Sequence, residues 1–281
     1  MSLLGAHISV SGGLHRAIER ACALGCEAMQ IFTRNPLQWQ GKGLSEGETG
    51  AFRRALLSSG LKSVVSHASY LINLAGDSHV RRKSIDALKA EIGRCYQLGV
   101  DAVVLHPGSS RDAPPDAARE ALAASLKEIL DGTDETGVPV LLETMAGQGG
   151  VLGSTIEELA WLMEALDWDK RLGVCADLCH LFGAGVDVGT EGGYERLVSS
   201  LSRHVGLDRV MCWHISDNKG ERGDRVDRHT HLGSGGIGIV PFGMLVADPR
   251  FQDTPVILET PKDGPGDAGN LALLRKLRGS W

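Results

Sequence analysis

The sequence predicts an α/β protein folded as a (β/α)₈ barrel, on three observations. Eight apolar runs of strand length recur along the chain, segments of helical spacing separate them, and six of the runs lead into a histidine or a carboxylate. Eight repeats in 281 residues give about 35 residues each, the size of a strand–helix unit.

The runs occupy residues 3–8, 28–32, 63–66, 102–105, 138–142, 172–176, 210–213 and 254–258. They are apolar throughout rather than alternating, as strands covered on both faces require. Between them, Ile85, Leu88, Ile92 and Cys95 share one helical face, as do Leu122, Leu126, Ile129 and Leu130. Ser154-Thr155-Ile156-Glu157 reads as a capping box opening a helix that carries Leu159, Leu162 and Leu166. Gly60, Gly99 and Gly137 mark helix ends. Closing eight parallel strands into a barrel removes both sheet edges; an open doubly wound sheet is the alternative. No Pro/Ser-rich linker or break in composition interrupts residues 1–281, so one domain is expected.

Composition narrows the setting. Hydrophobic residues make up 42% and charged residues 23%, which excludes a disordered chain. No run reaches the length of a membrane span, and the N-terminus lacks the basic-then-apolar pattern of a secretory signal. The six cysteines include no Cys-x-x-Cys and read as reduced packing thiols. A cytoplasmic protein without a membrane partner is expected, and a monomer suffices. The net charge of −6 offers nucleic acid no general attraction.

The polar residues closing the runs carry the chemistry. His67, His106, Glu143, Asp177, His214 and Glu259 follow one another at intervals close to the repeat length, which places them together at the C-terminal rim of a barrel. Such a crowd of carboxylates and imidazoles would repel or desolvate itself unless a cation held it. Asp177-Leu-Cys-His180 adds an imidazole where a strand gives way to a turn. Asp227-Arg-His229 has the period-2 spacing that sends two side chains to one side of an extended segment. Nine nitrogen and oxygen donors exceed the need of one ion, so two or three divalent ions are expected, zinc first, with manganese or iron as alternatives. Clustered ions of this kind suit phosphoryl hydrolysis. Gly233-Ser-Gly-Gly-Ile-Gly238 does not match a dinucleotide fingerprint and is expected to face phosphate or act as a hinge.

Several long motifs occur in order: YLINLA at residues 70–75, LHPGS at 105–109, LLETMAGQG at 141–149, CADLCHLFGAG at 175–185 and HISDNKGERGDRVDRHTHLGSGGIG at 214–238. With these the chain resembles endonuclease IV, the metal-dependent apurinic/apyrimidinic (AP) endonuclease family of DNA base-excision repair. The resemblance implies a TIM barrel with three metal ions, usually zinc. It assigns His67, His106 and a bridging Glu143 to the first ion, Asp177, His214 and Glu259 to the second, and His180, Asp227 and His229 to the third. It implies hydrolysis of the phosphodiester 5′ to an abasic site in double-stranded DNA, leaving a 3′-hydroxyl and a 5′-deoxyribose phosphate. Glu143 and Glu259 are the expected catalytic carboxylates, orienting the attacking water.

The same resemblance points to Tyr70 and Leu71 as residues that enter the duplex, and Arg225, Arg228 and Lys219 lie in a loop that could meet phosphates. Two positions depart from the family pattern. Leu37 stands where an arginine is usual, with Arg34 nearby as a partial substitute, and Leu178 replaces a threonine after the metal-binding aspartate. An apolar wedge can still unstack a base step. His7 and His231 are candidates for supporting contacts around the cluster. The rival reading is a sugar isomerase or epimerase on the same barrel, which needs only Glu143, Asp177, His214 and Glu259. A DNA-damage binding protein with a purely structural cluster is the non-enzymatic alternative.

Overall fold

The computed structural model describes residues 1–110 and 113–280. Its strands and helices alternate from the start: β1 Leu3–His7, α1 Leu14–Ala23, β2 Ala28–Ile31, α2 Glu46–Ser59, β3 Ser63–His67, α3 Ser78–Leu98, β4 Ala102–Leu105, α4 Pro115–Asp131, β5 Val140–Glu143, α5 Ile156–Ala165 and β6 Leu172–Asp177. The short α6 Leu178–Gly183 and α7 Glu191–His204 then lead to β7 Val210–Ile215. A two-stranded ribbon, β8 Asp217–Asn218 and β9 His229–Thr230, comes before α8 Val240–Ala247, β10 Pro255–Leu258 and α9 Gly266–Arg278. Eight strands pair in parallel in the closed order β1-β10-β7-β6-β5-β4-β3-β2. Because β1 pairs with both β10 and β2, the sheet has no edge, which excludes the open doubly wound alternative.

Two apolar layers explain why the runs do not alternate. Inward-facing Leu3, Ala28, Val65, Val104, Leu141 and Ile257 fill the barrel, while the opposite faces of the same strands pack under the helices with Leu4, Met29, Val64, Val103, Leu142 and Val256. Each fully buried aliphatic side chain contributes about 1.5–3 kcal/mol, so both faces hold the sheet closed. Gly5 permits closure at β1, since a Cβ there would overlap the Ala28 carbonyl of β2.

Local boundaries follow elementary rules. Gly60 and Gly99 close α2 and α3 in the left-handed conformation, at φ 74° and 75°. The fifth strand starts at Val140 rather than Val138, because Pro139 has no N–H for the ladder. The expected capping box at Ser154 is not formed. Thr155 instead caps α5 through the Glu158 N–H, the Glu158 carboxylate accepts from the Gly153 and Ser154 amides, and Leu166 lies just past the helix end. No helix among the described residues is long and apolar enough to cross a membrane.

Candidate metal centre

Strand ends deliver the ligands. His67, Glu143 and Asp177 terminate β3, β5 and β6, His106 and Glu259 directly follow β4 and β10, and His214 is paired with Asp177 across the β6–β7 ladder. The turn after β6 is helical: Asp177 caps α6 through the His180 amide at 2.8 Å, and that one capped turn carries His180 back over the barrel. His229 arrives on β9, hydrogen-bonded as a ribbon to β8, with Asp227 just before it.

All nine residues named from the sequence converge, in three groups whose ligand atoms lie within 4.8 Å of one another. These are His67, His106 and Glu143; Glu143, Asp177, His214 and Glu259; and His180, Asp227 and His229. Glu143 belongs to two groups, and its oxygens divide accordingly. Oε2 lies 3.3 Å from His67 Nε2 and 3.1 Å from His106 Nε2, and Oε1 lies 3.0 Å from His214 Nδ1. Two further groupings among the described residues include thiols, Cys175 and Cys212 with His214, and Cys179 with Asp177 and His229.

Main-chain carbonyls orient three of the imidazoles. Nδ1 of His67 donates to Ala68 O at 2.7 Å, Nδ1 of His180 to Thr144 O at 2.8 Å and Nδ1 of His229 to Glu259 O at 2.8 Å. Each therefore presents a lone pair on Nε2. For His180 and His229 those lone pairs sit 3.2 and 3.0 Å from Asp227 oxygens, yet neither nitrogen has a properly aligned hydrogen-bond partner. Buried Asp177 Oδ2 is likewise unpartnered. Lone pairs and carboxylate oxygens aimed at one another across about 3 Å are repulsive without a cation between them. The donor set therefore fits divalent metal.

Electrostatics give the same result in terms of protons. Burial raises Asp177 above the ordinary carboxylate range. It also opposes charge on Glu143, but the His214 and His106 imidazoles outweigh it and hold Glu143 well below that range. Burial disfavours the cation at His214 and His229, yet the surrounding acids prevail, raising His214 well above its ordinary value and His229 to about 12. Protons would fill the basin where metal is absent.

The rim opens as a cleft of about 500 Å³ bounded by His7, Phe32, Tyr70, Lys262 and cluster residues. A larger cavity of about 790 Å³ lies between the loop after β2 and α3, beside Arg34, Trp39, Lys83 and Arg94, and none of the nine cluster residues lines it.

Comparison with known proteins agrees with this geometry. Residues 18–279 match the model of the xylose isomerase-like TIM barrel family. A curated relative from Trichlorobacter lovleyi, named probable endonuclease 4, is 45% identical, the match covering 98% of this chain and 99% of that one. The crystal structure of endonuclease IV from Thermus thermophilus superposes with a TM-score of 0.88 at 38% identity, covering 99% of this chain and 100% of that one. The chain belongs to the endonuclease IV family. A D-tagatose 3-epimerase-like protein shares the barrel at a TM-score of 0.75 and 21% identity, over 99% of this chain and 97% of that one, a likeness of fold alone.

For an endonuclease IV family member, a metal-dependent DNA-cleaving hydrolase, the surroundings of the cleft matter. Tyr70 is exposed above it, its ring centroid 5.6 Å from that of His67 and 6.0 Å from that of His106. Burial, then Glu259 and Glu143, push its phenol up to about 12, so it stays neutral. Leu71 is half-buried beside it. Leu37 projects from the loop after β2 with 70% exposure, and Arg225, Arg228 and Lys219 are exposed on the loop joining β8 to β9.

Arg34 departs from expectation. Its side chain is turned inward, donating to Trp39 O and Ala87 O and lying 3.4 Å from Glu91, so it offers DNA no free guanidinium. The glycine loop departs too. The Gly235 and Ile237 amides bind the buried Asp217 carboxylate at 2.9 Å, an internal anion in place of a phosphate. Leu178 is fully buried in the core, while Asp177 takes its backbone support from the Thr144 hydroxyl at 2.9 Å. His7 touches Glu259 at 3.4 Å, but His231 pairs with Asn270 away from the cluster.

Sequence reasoning missed Thr144 and Gln30. Thr144 follows a ligand directly, and Gln30 is the one polar residue of the second apolar run, Ala-Met-Gln-Ile.

Proposed function

We propose that this chain incises double-stranded DNA at abasic sites, hydrolysing the phosphodiester 5′ to the lesion and leaving a 3′-hydroxyl and a 5′-deoxyribose phosphate. The observation that carries the reading is the convergence of nine donors in three groups at one open rim. A sugar epimerase would need only the four-ligand group. His180, Asp227 and His229 have no task in that chemistry, yet both imidazoles are oriented by main-chain carbonyls and their buried Nε2 atoms face Asp227.

His67, His106 and Glu143 would hold one ion, Glu143, Asp177, His214 and Glu259 a second, and His180, Asp227 and His229 a third. Zinc suits imidazole–carboxylate donors, with manganese or iron open at one site. When bound, these ions neutralise phosphate charge and lower the pKa of water. Glu143 and Glu259 are held ionised despite burial, Glu143 by His214 and His106, Glu259 chiefly by His214. In this reading they orient the attacking water. Tyr70, Leu71 and Leu37 fill the space of the displaced nucleotide, and Arg225, Arg228 and Lys219 meet the flanking phosphates. The protein acts as a monomer in the cytoplasm.

The test is a duplex carrying one abasic analogue, incubated with zinc-loaded protein and its product ends mapped. Scission 5′ to the lesion with a 3′-hydroxyl is expected. Glu259→Gln should slow it by about 10²–10⁴-fold with its circular dichroism unchanged. Tight binding without scission by the zinc-loaded protein, or wild-type turnover by E259Q, would overturn the assignment.

A further inference from the structure

Six barrel strands lead into metal-binding donors; β1 and β2 do not. Their rim residues are His7 and Gln30, paired side by side in the ladder, with β10 on the other side of β1. Gln30 is fully buried. Burying a primary amide without partners is costly, so its contacts identify what it is for.

Both ends of the amide meet cluster residues. Oε1 accepts from His214 Nε2 at 2.7 Å, and Nε2 donates to Glu259 Oε1 at 2.6 Å and to His7 Nδ1 at 2.9 Å. The orientation is fixed by chemistry. Turning the amide over would set its oxygen against the Glu259 carboxylate. An amide nitrogen has no lone pair to offer, so His7 Nδ1 is the acceptor of its second hydrogen.

We infer that Gln30 is a positioning residue of the metal centre, setting the tautomer of His214 and the rotamer of Glu259 together. By accepting the Nε2–H it leaves the His214 lone pair on Nδ1, the nitrogen that lies 3.0 Å from Glu143 and 3.6 Å from Glu259 Oε2. By holding Glu259 Oε1 it leaves Oε2 as the oxygen facing the ligand group. One neutral side chain thereby orders a nitrogen donor and an oxygen donor of the same site without adding a charge that would compete with a cation. A lysine or arginine in its place would supply the donor but not the acceptor, and would repel the ion.

This inference rests on the metal-dependent reading above, and its test separates the two. Q30M keeps the side-chain length and removes both polar contacts. Zinc content after dialysis against graded chelator is measured by plasma emission, alongside kcat and KM on the abasic duplex and the thermal midpoint. The expected result is zinc held about 10–100-fold more weakly and kcat lowered by a similar factor, with KM for the duplex near that of wild type. Should Q30M fail to fold, Q30A leaves room for water and is titrated in the same way. An unchanged chelator midpoint overturns the inference, including when the thermal midpoint falls, because that combination means packing alone. Weaker zinc binding by Q30M in a protein whose wild type never cuts the duplex leaves Gln30 in place and removes the nuclease reading.

Discussion

Which nitrogen of an imidazole is engaged decides what the other can do. His67, His180 and His229 each give Nδ1–H to a main-chain carbonyl, and His214 gives Nε2–H to Gln30, so four rings show lone pairs to carboxylates. In the ion-free protein burial opposes protonation of His67, His180 and His214, and neighbouring Glu143, Asp177 and Glu259 overcome it, raising all three. Stability from these raised groups is fully present below the ordinary imidazole pKa of about 6.5 and is lost as pH climbs through their folded values. Glu143 and Glu259 run the other way, lowered by His214 against burial, and their contribution disappears as pH falls below the carboxylate range. Zinc must displace the protons on the histidines. Loading zinc at pH 7 should therefore release more than one proton per chain and bind more tightly as pH rises. Calorimetry in buffers of different ionisation enthalpy reads this directly; zinc uptake with no proton release would mean that the rings are already neutral.

At the scale of elements, the ribbon of β8 and β9 carries His229 of the third group, and the Asp217 carboxylate ties it to the loop at 233–238. Asp217 is fully buried and accepts from the amides of Asn218, Gly235 and Ile237. A Cβ at Gly235 would overlap Asn218 O, so the glycine is required by the close approach of loop and ribbon. Asp217→Ala strands three amides, at a cost of about 3 kcal/mol and a fall in the thermal midpoint of about 5–10 °C. Because His229 rides on β9, zinc should also be held less tightly; a midpoint and zinc affinity both like those of wild type would show that the loop holds itself. Much of this level was legible beforehand. Apolar runs marked all eight barrel strands, since a strand buried on both faces has little choice of residue, and six residues of the cluster were legible because ionisable groups at strand ends have no packing excuse. The pairing of the ribbon was not legible: the spacing of Asp227 and His229 marked an extended segment, but two-residue strands carry no pattern that names their partner. Glycines at 233–238 signalled an anion without saying that the anion is Asp217 of the same chain. The inward turn of Arg34 depends on Glu91 and Ala87, more than fifty residues away in sequence and brought to it only by α3.

Across the whole molecule, the closed order of strands turns residues more than 190 positions apart into one basin, from His67 on β3 to Glu259 after β10. The chain itself carries −6, and three divalent ions would bring it to neutrality with the positive charge gathered at the rim where a phosphodiester must sit. β1 and β2 complete the ring with His7 and Gln30, so every strand of the barrel contributes either a member of the cluster or a contact to one. The central claim is that the basin holds a trio of cations. Anomalous diffraction at the zinc edge from zinc-loaded crystals tests it most directly. Three peaks are expected, one within each ligand group and two of them sharing Glu143. A single peak at the group of Glu143, Asp177, His214 and Glu259, with the other donors empty, would contradict the account and favour the sugar-isomerase alternative.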